Sequence, residues 1–80
     1  MKLLIFGAGA IGTYIGGSLA AKGNLVYFFD RQEMVSRIRQ TGIKIHNADN
    51  TTISLDKPNV SFDLAELLKA ENFDCAFFAV

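Results

Sequence analysis

Cysteine is almost missing from this chain, and any internal disulfide is missing with it. Cys75 is the single cysteine among 80 residues, so at most one thiol is present, which fits a reducing cytoplasm. Charge of one sign is missing too. Eight basic residues balance eight acidic ones and the formal net charge is zero. No basic field therefore points to nucleic acid or to an anionic membrane surface. The aromatics are mostly Phe, with no tryptophan, and no aromatic-plus-basic cluster suggests stacking on bases. No apolar run approaches the length of a membrane span. His46 is the only histidine and has no carboxylate or cysteine at ligand spacing, so no metal site is expected. Internal repeats, low-complexity tracts and long linkers are also absent.

Glycine, by contrast, is concentrated at the start. Five glycines fall between Gly7 and Gly17. They follow the short apolar run Lys2–Phe6, which suits a buried parallel strand. Ala10–Lys22 then reads as a helix. Ile11, Ile15 and Leu19 make one stripe along it, and Gly12, Gly16 and Ala20 make a second stripe of very small residues, able to lie against something flat. Gly23 supplies the stop. Leu25–Phe29 is a second buried strand, closing on Asp30 and Arg31. The start also resembles a secretory signal, with Lys2 before an apolar stretch and Ser18-Leu19-Ala20 as a small-residue cleavage site. Regularly spaced glycines have no use in a signal's apolar core, and the strand-helix-strand reading is preferred.

The spacing Gly7-Ala8-Gly9-Ala10-Ile11-Gly12 is G-x-G-x-x-G, standing between a strand and a helix. That context turns a weak motif into the phosphate-binding turn of a βαβ unit. The first turn of a helix carries unpaired N–H groups and a partial positive charge, and these hold a pyrophosphate without side-chain charge. Gly7 lets the chain turn sharply. Gly9 leaves room for the pyrophosphate. Gly12 lets helix and strand pack closely. Ala8, Ala10 and Ile11 contribute backbone groups. A dinucleotide, NAD or NADP, is the expected cofactor.

Asp30 follows Gly12 by roughly 18 positions, against the ~20 expected for the acid that bonds the adenosine ribose of NAD. Its neighbour Arg31 points the other way, toward the 2′-phosphate of NADP. Asp30 would repel that phosphate unless it turns away. Asp30 also reads as an N-cap of the next helix, and Arg31 as a solvated surface base.

Further on, Arg31–Gln40 reads as a helix with Met34, Val35 and Ile38 inward, ended by Gly42. Ile43–His46 and Thr51–Leu55 alternate around a polar loop, as in a β-hairpin. Lys57-Pro58-Asn59 is a break. Ser61 or Asp63 caps a short helix through Ala70, with Leu64, Leu67 and Leu68 buried. Phe73–Val80 begins another buried strand, with Cys75 as an inert core residue. Tyr14 is read as a packing or surface residue. The fold class is α/β, a Rossmann-type doubly wound parallel sheet with a β-hairpin insertion. Stopping within a core strand, these residues are expected to be a piece of a two-domain protein, residues 1–80 being the N-terminal part of its dinucleotide-binding domain.

The chain resembles the N-terminal part of the ketopantoate reductase (2-dehydropantoate 2-reductase) family over nearly its whole length. The resemblance rests on Gly7-Ala8-Gly9-Ala10-Ile11-Gly12, on Gly16 one turn later and on the strand closing at Arg31. It rests also on Ile38-Arg39-Gln40-Thr41-Gly42-Ile43, similar to the family's leucine-arginine stretch before a hairpin, and on Asp74–Val80, similar to a strand that runs into a lysine. It implies NADPH-dependent reduction of a 2-keto acid, ketopantoate to pantoate, on the route to pantothenate and coenzyme A. It also implies a helical substrate domain beyond residue 80, which would bind the keto acid and allows a homodimer. Arg31 matches the family's 2′-phosphate arginine, and Asp30 departs from the commoner small or apolar residue. The family's catalytic lysine and substrate-binding acid have no counterpart here, so no catalytic residue is assigned and these 80 residues alone are expected to be inactive. Two other functions fit the same fingerprint: another NAD(P)-dependent dehydrogenase, acting on sugar phosphates, opines or hydroxy acids, and a non-catalytic NAD-binding sensor.

Overall fold

The computed structural model describes residues 1–79. In chain order these form β1 (Lys2–Phe6), α1 (Ala10–Ala21), β2 (Leu25–Phe29), α2 (Gln32–Thr41), β3 (Ile43–His46), β4 (Thr52–Leu55), β5 (Asn59–Ser61), α3 (Leu64–Ala70) and β6 (Cys75–Phe78). Four strands make a sheet in the order β5-β2-β1-β6. Every pairing in it is parallel, with Leu4 opposite Tyr27 and Ala76, and Phe28 opposite Val60. The chain starts at β1, steps outward through β2 to β5, then returns to the other side of β1. That reversal is the mark of the doubly wound α/β fold, and it places the ligand crevice at the carboxyl ends of the strands. β3 and β4 form a separate antiparallel hairpin.

Alternation along the strands sorts the side chains onto two faces. Leu3, Ile5, Val26, Phe28 and Val60 share one face and are all buried. Val35 and Ile38 of α2 and Ile43 and Ile45 of the hairpin join them in one core. Burying such a side chain fully contributes about 1.5–3 kcal/mol. The other face carries Leu4, which is fully buried, Phe6, Tyr27 and Phe29, only partly buried, and Phe78, which is exposed.

Small residues on α1 set its distance from the sheet. Its buried positions are Gly12, Gly16 and Gly17. A Cβ on Gly16 would lie 2.5 Å from the Phe28 ring, and one on Gly17 would strike the δ-methyl of Ile45. The glycine stripe therefore fits α1 against the sheet on one side and the hairpin on the other. In the apolar stripe, Ile15 and Leu19 pack on the core, whereas Ile11 is exposed. Gly42 ends α2 at φ 72°, and its backbone faces the Leu55 carbonyl across the hairpin base.

Four expectations need correction. The break at Lys57-Pro58-Asn59 gives way to a strand, β5, already at Asn59; Pro58 precedes it, where its missing N–H costs the ladder nothing. Leu68 is exposed and Leu64 only partly buried, so Leu67 alone anchors α3. Among the described residues the final strand is not buried: all of Cys75–Phe78 is exposed, because β6 is the outermost described strand on that side and none of the described elements covers it. Cys75 is correspondingly an exposed free thiol, not a core residue. Val80, the expected end of that strand, lies outside the described residues.

Candidate functional site

The turn after β1 follows from its glycines. Gly7 has φ 104°, a conformation that penalises any Cβ, and its N–H donates to the Phe29 carbonyl at 2.8 Å. The chain thus stays tied to β2 as it leaves the sheet. A Cβ on Gly12 would fall on the Gly7 carbonyl oxygen, so helix and strand meet at backbone distance there. Gly9 differs from both. It is exposed, and a Cβ on it would meet nothing within 4 Å. The space above Gly9 is open, and this is where the phosphate is expected.

α1 begins with no side chain closing its amino end. Its N-cap, Gly9, offers no side-chain hydrogen bond, and its first turn holds no acid. The first helical hydrogen bond runs from Thr13 N–H to the Gly9 carbonyl. The N–H groups of Ala10, Ile11 and Gly12 precede it, at the positive end of the helix. Ala8 has a different part: it is buried, and its N–H donates to a side-chain oxygen of Asp30 at 2.6 Å.

Asp30 is thereby turned into the glycine loop. One carboxylate oxygen accepts from Ala8 N–H and the other from Arg31 N–H, also at 2.6 Å. The N-cap of α2 is Arg31, not Asp30, and no side chain caps that helix. The cap reading of Asp30 therefore fails. The start of α2, like that of α1, leaves its first N–H groups uncapped, with Arg31 beside them.

A cavity of 590 Å³ spans this ground, lined by Gly7, Phe29, Asp30, Arg31, Glu33 and Phe62, among others. Sequence reasoning missed Phe62. The signal was there: a large aromatic between Ser61 and Asp63, in a polar turn with no helix or strand face to bury it. Below the cavity the strand ends carry a row of rings. Phe6 meets Phe29 edge-on at 5.6 Å and Phe78 at 4.6 Å.

The other singled-out residues lie elsewhere. His46 is exposed on the hairpin, within 3.3 Å of the Thr52 hydroxyl. Tyr14 is exposed on α1. Among the described residues, no group of three His, Cys, Asp or Glu is placed to hold a metal ion, and no helix is long and apolar enough to cross a membrane.

A parallel sheet reversing at β1, a glycine turn with open space above it and an acid–base pair at the end of β2 place the chain in the Rossmann-like α/β class. A family model described as ketopantoate reductase PanE/ApbA matches residues 3–80, and the chain belongs to that family. It is 44% identical over 70 residues to the uncharacterized oxidoreductase YkpB of Bacillus subtilis, covering 88% of this chain and 20% of that protein. It is 39% identical over 56 residues to a 2-dehydropantoate 2-reductase of Pyrococcus abyssi, covering 70% of this chain and 19% of that one. The crystal structure of 2-dehydropantoate 2-reductase from Methylococcus capsulatus superposes with a TM-score of 0.82 at 28% identity, over 98% of this chain and 24% of that chain. The chain thus spans about a fifth of the length of these curated relatives. The family is one of oxidoreductases that use a nicotinamide cofactor.

Proposed function

We propose that the full-length protein reduces the keto group of a 2-keto acid with NADPH, 2-dehydropantoate being the first candidate, as a cytoplasmic enzyme of pantothenate formation. The residues described here hold the cofactor. A further, helical domain binds the substrate and carries the acid–base groups. The observation that carries this reading is the uncapped start of α1 next to the Asp30–Arg31 pair, in a chain of the ketopantoate reductase family.

In this reading the N–H groups of Gly9, Ala10, Ile11 and Gly12 bind the pyrophosphate, and the open space at Gly9 admits it. The nicotinamide, when bound, supplies the hydride that converts the 2-keto acid to a 2-hydroxy acid, with one proton taken up. The protein's part is binding and orientation. The choice of NADPH is favoured by how Asp30 is used. Both its oxygens face backbone N–H groups, so the carboxylate ties the glycine loop to the end of β2. Arg31 is left as the cationic side chain for a 2′-phosphate, beside the uncapped start of α2, whose first turn also carries Glu33.

Turnover decides the substrate. The full-length protein is expected to oxidise NADPH on addition of 2-dehydropantoate, and no such oxidation with either NADPH or NADH overturns that substrate. Activity on another keto acid or on a sugar phosphate would keep the cofactor reading and move the substrate. Calorimetric binding decides the cofactor. Arg31→Ala is expected to weaken NADP about tenfold or more, a charge-assisted bond being worth about 1.5–3 kcal/mol, and to leave NAD affinity unchanged. Equal losses for both would remove Arg31 from phosphate recognition.

A further inference from the structure

Phe62 is a large aromatic that the core does not use. Its relative exposure is 47%, yet the backbone that carries it is held in place. The Ser61 hydroxyl accepts from Asp63 N–H at 3.0 Å, and Asp63 accepts from Glu66 N–H at 3.0 Å to cap α3. The backbone on both sides of Phe62 is held by these short-range bonds and by the pairing of Ser61 with Phe29. The ring borders the same cavity as Gly7, Asp30 and Arg31. It therefore offers apolar surface on the β5 side, beyond the groups expected to take the ribose and its phosphate.

We propose that Phe62 is the aromatic wall against which the adenine of the dinucleotide stacks. This rests on the nucleotide reading above and names a residue for the base, which neither the glycine turn nor the Asp30–Arg31 pair provides. Adenine is flat, with two apolar faces, and the ring of Phe62 matches that shape without a hydrogen bond. Stacking does not sense the 2′-phosphate, so Phe62 serves NADP and NAD alike. Selection between them stays with Arg31.

The test uses the full-length protein and titrates NADP, NAD and 2′,5′-ADP into the wild type and three variants. Phe62→Ala is expected to weaken all three ligands by a common factor of about 5- to 150-fold, the range that base–aromatic stacking spans. Phe62→Leu keeps apolar volume but no ring and is expected to lose most of the same affinity. Phe62→Tyr keeps the ring and is expected to bind as the wild type does. Thermal midpoints of the variants should match the wild type, because a side chain this exposed adds little to the core. Wild-type affinity for 2′,5′-ADP in Phe62→Ala overturns the stacking proposal while leaving the nucleotide reading intact. A wild-type protein that binds none of the ligands overturns both.

Discussion

At the scale of single residues, the glycines of one motif separate into different tasks. Gly12 is structural, because a Cβ there meets the Gly7 carbonyl oxygen. Gly12→Ala should destabilise the protein by about 1–3 kcal/mol, the usual cost of overpacking, read as a lowered denaturant midpoint. Gly9 has an ordinary φ of −78° and open space around it. Gly9→Ala should leave stability within about 0.5 kcal/mol of wild type and still weaken dinucleotide binding, read by calorimetry. A stability loss at Gly9 equal to that at Gly12 would contradict this division. The motif's spacing announced the turn, but not which glycine answers to the fold and which to the ligand. Nor did it show that Asp30 reaches back to Ala8, since two residues 22 positions apart meet only once β1 and β2 are paired.

At the scale of elements, legibility followed local pattern. β1, β2 and β3 are legible with the bounds they have, because each is an apolar or alternating run between clear stops. Helix α2 was read with its buried face, Val35 and Ile38. β5 was missed because three residues beginning at Asn59 carry almost no periodic signal; parallel pairing with β2, not local preference, makes them a strand. The burial of Leu68 and β6 was overestimated for a related reason: apolar composition does not say what lies on the far side. For α3 a local signal suffices, since Asp63 stands at a cap position in the sequence and does accept from Glu66 N–H. A seven-residue helix with one buried side chain depends heavily on that bond. Asp63→Ala should cost about 1 kcal/mol, with Asp63→Asn close to neutral, measured by urea denaturation. Equal losses in both variants would assign the effect to charge, not to the cap.

At the scale of the whole molecule, the start of β1 is tied to the segment after α3 at the amino edge of the sheet, opposite the proposed nucleotide site. Lys2 pairs with Glu71, and Tyr27 donates its hydroxyl proton to the same carboxylate at 2.8 Å. The Lys2 and Tyr27 hydrogen bonds hold the Glu71 carboxyl below its ordinary range. Glu71 in turn raises Lys2 and Tyr27. A depressed carboxyl stabilises the fold above the ordinary carboxylate range, and that gain is lost as pH falls through its folded value. The raised Lys2 and Tyr27 act oppositely, supporting the fold until pH climbs past their own values. Glu71→Gln should therefore flatten the loss of stability on acidification, a small effect for so exposed a cluster, seen as a shallower fall in denaturation midpoint between pH 6 and pH 3. An unchanged slope would show that the tie does not survive in solution. The same edge has a consequence for how the molecule is made. Of the described strands β1 is synthesised before the others, yet its second neighbour, β6, is secured by Asp74 accepting from Lys2 N–H across 72 positions. On a ribosome adding 5–20 residues each second, β1 waits on the order of 4–14 s with one side unpaired. A strand interior to the described sheet is thus, during translation, its longest-lived bare edge, and a delay before β6 emerges prolongs its exposure to aggregation.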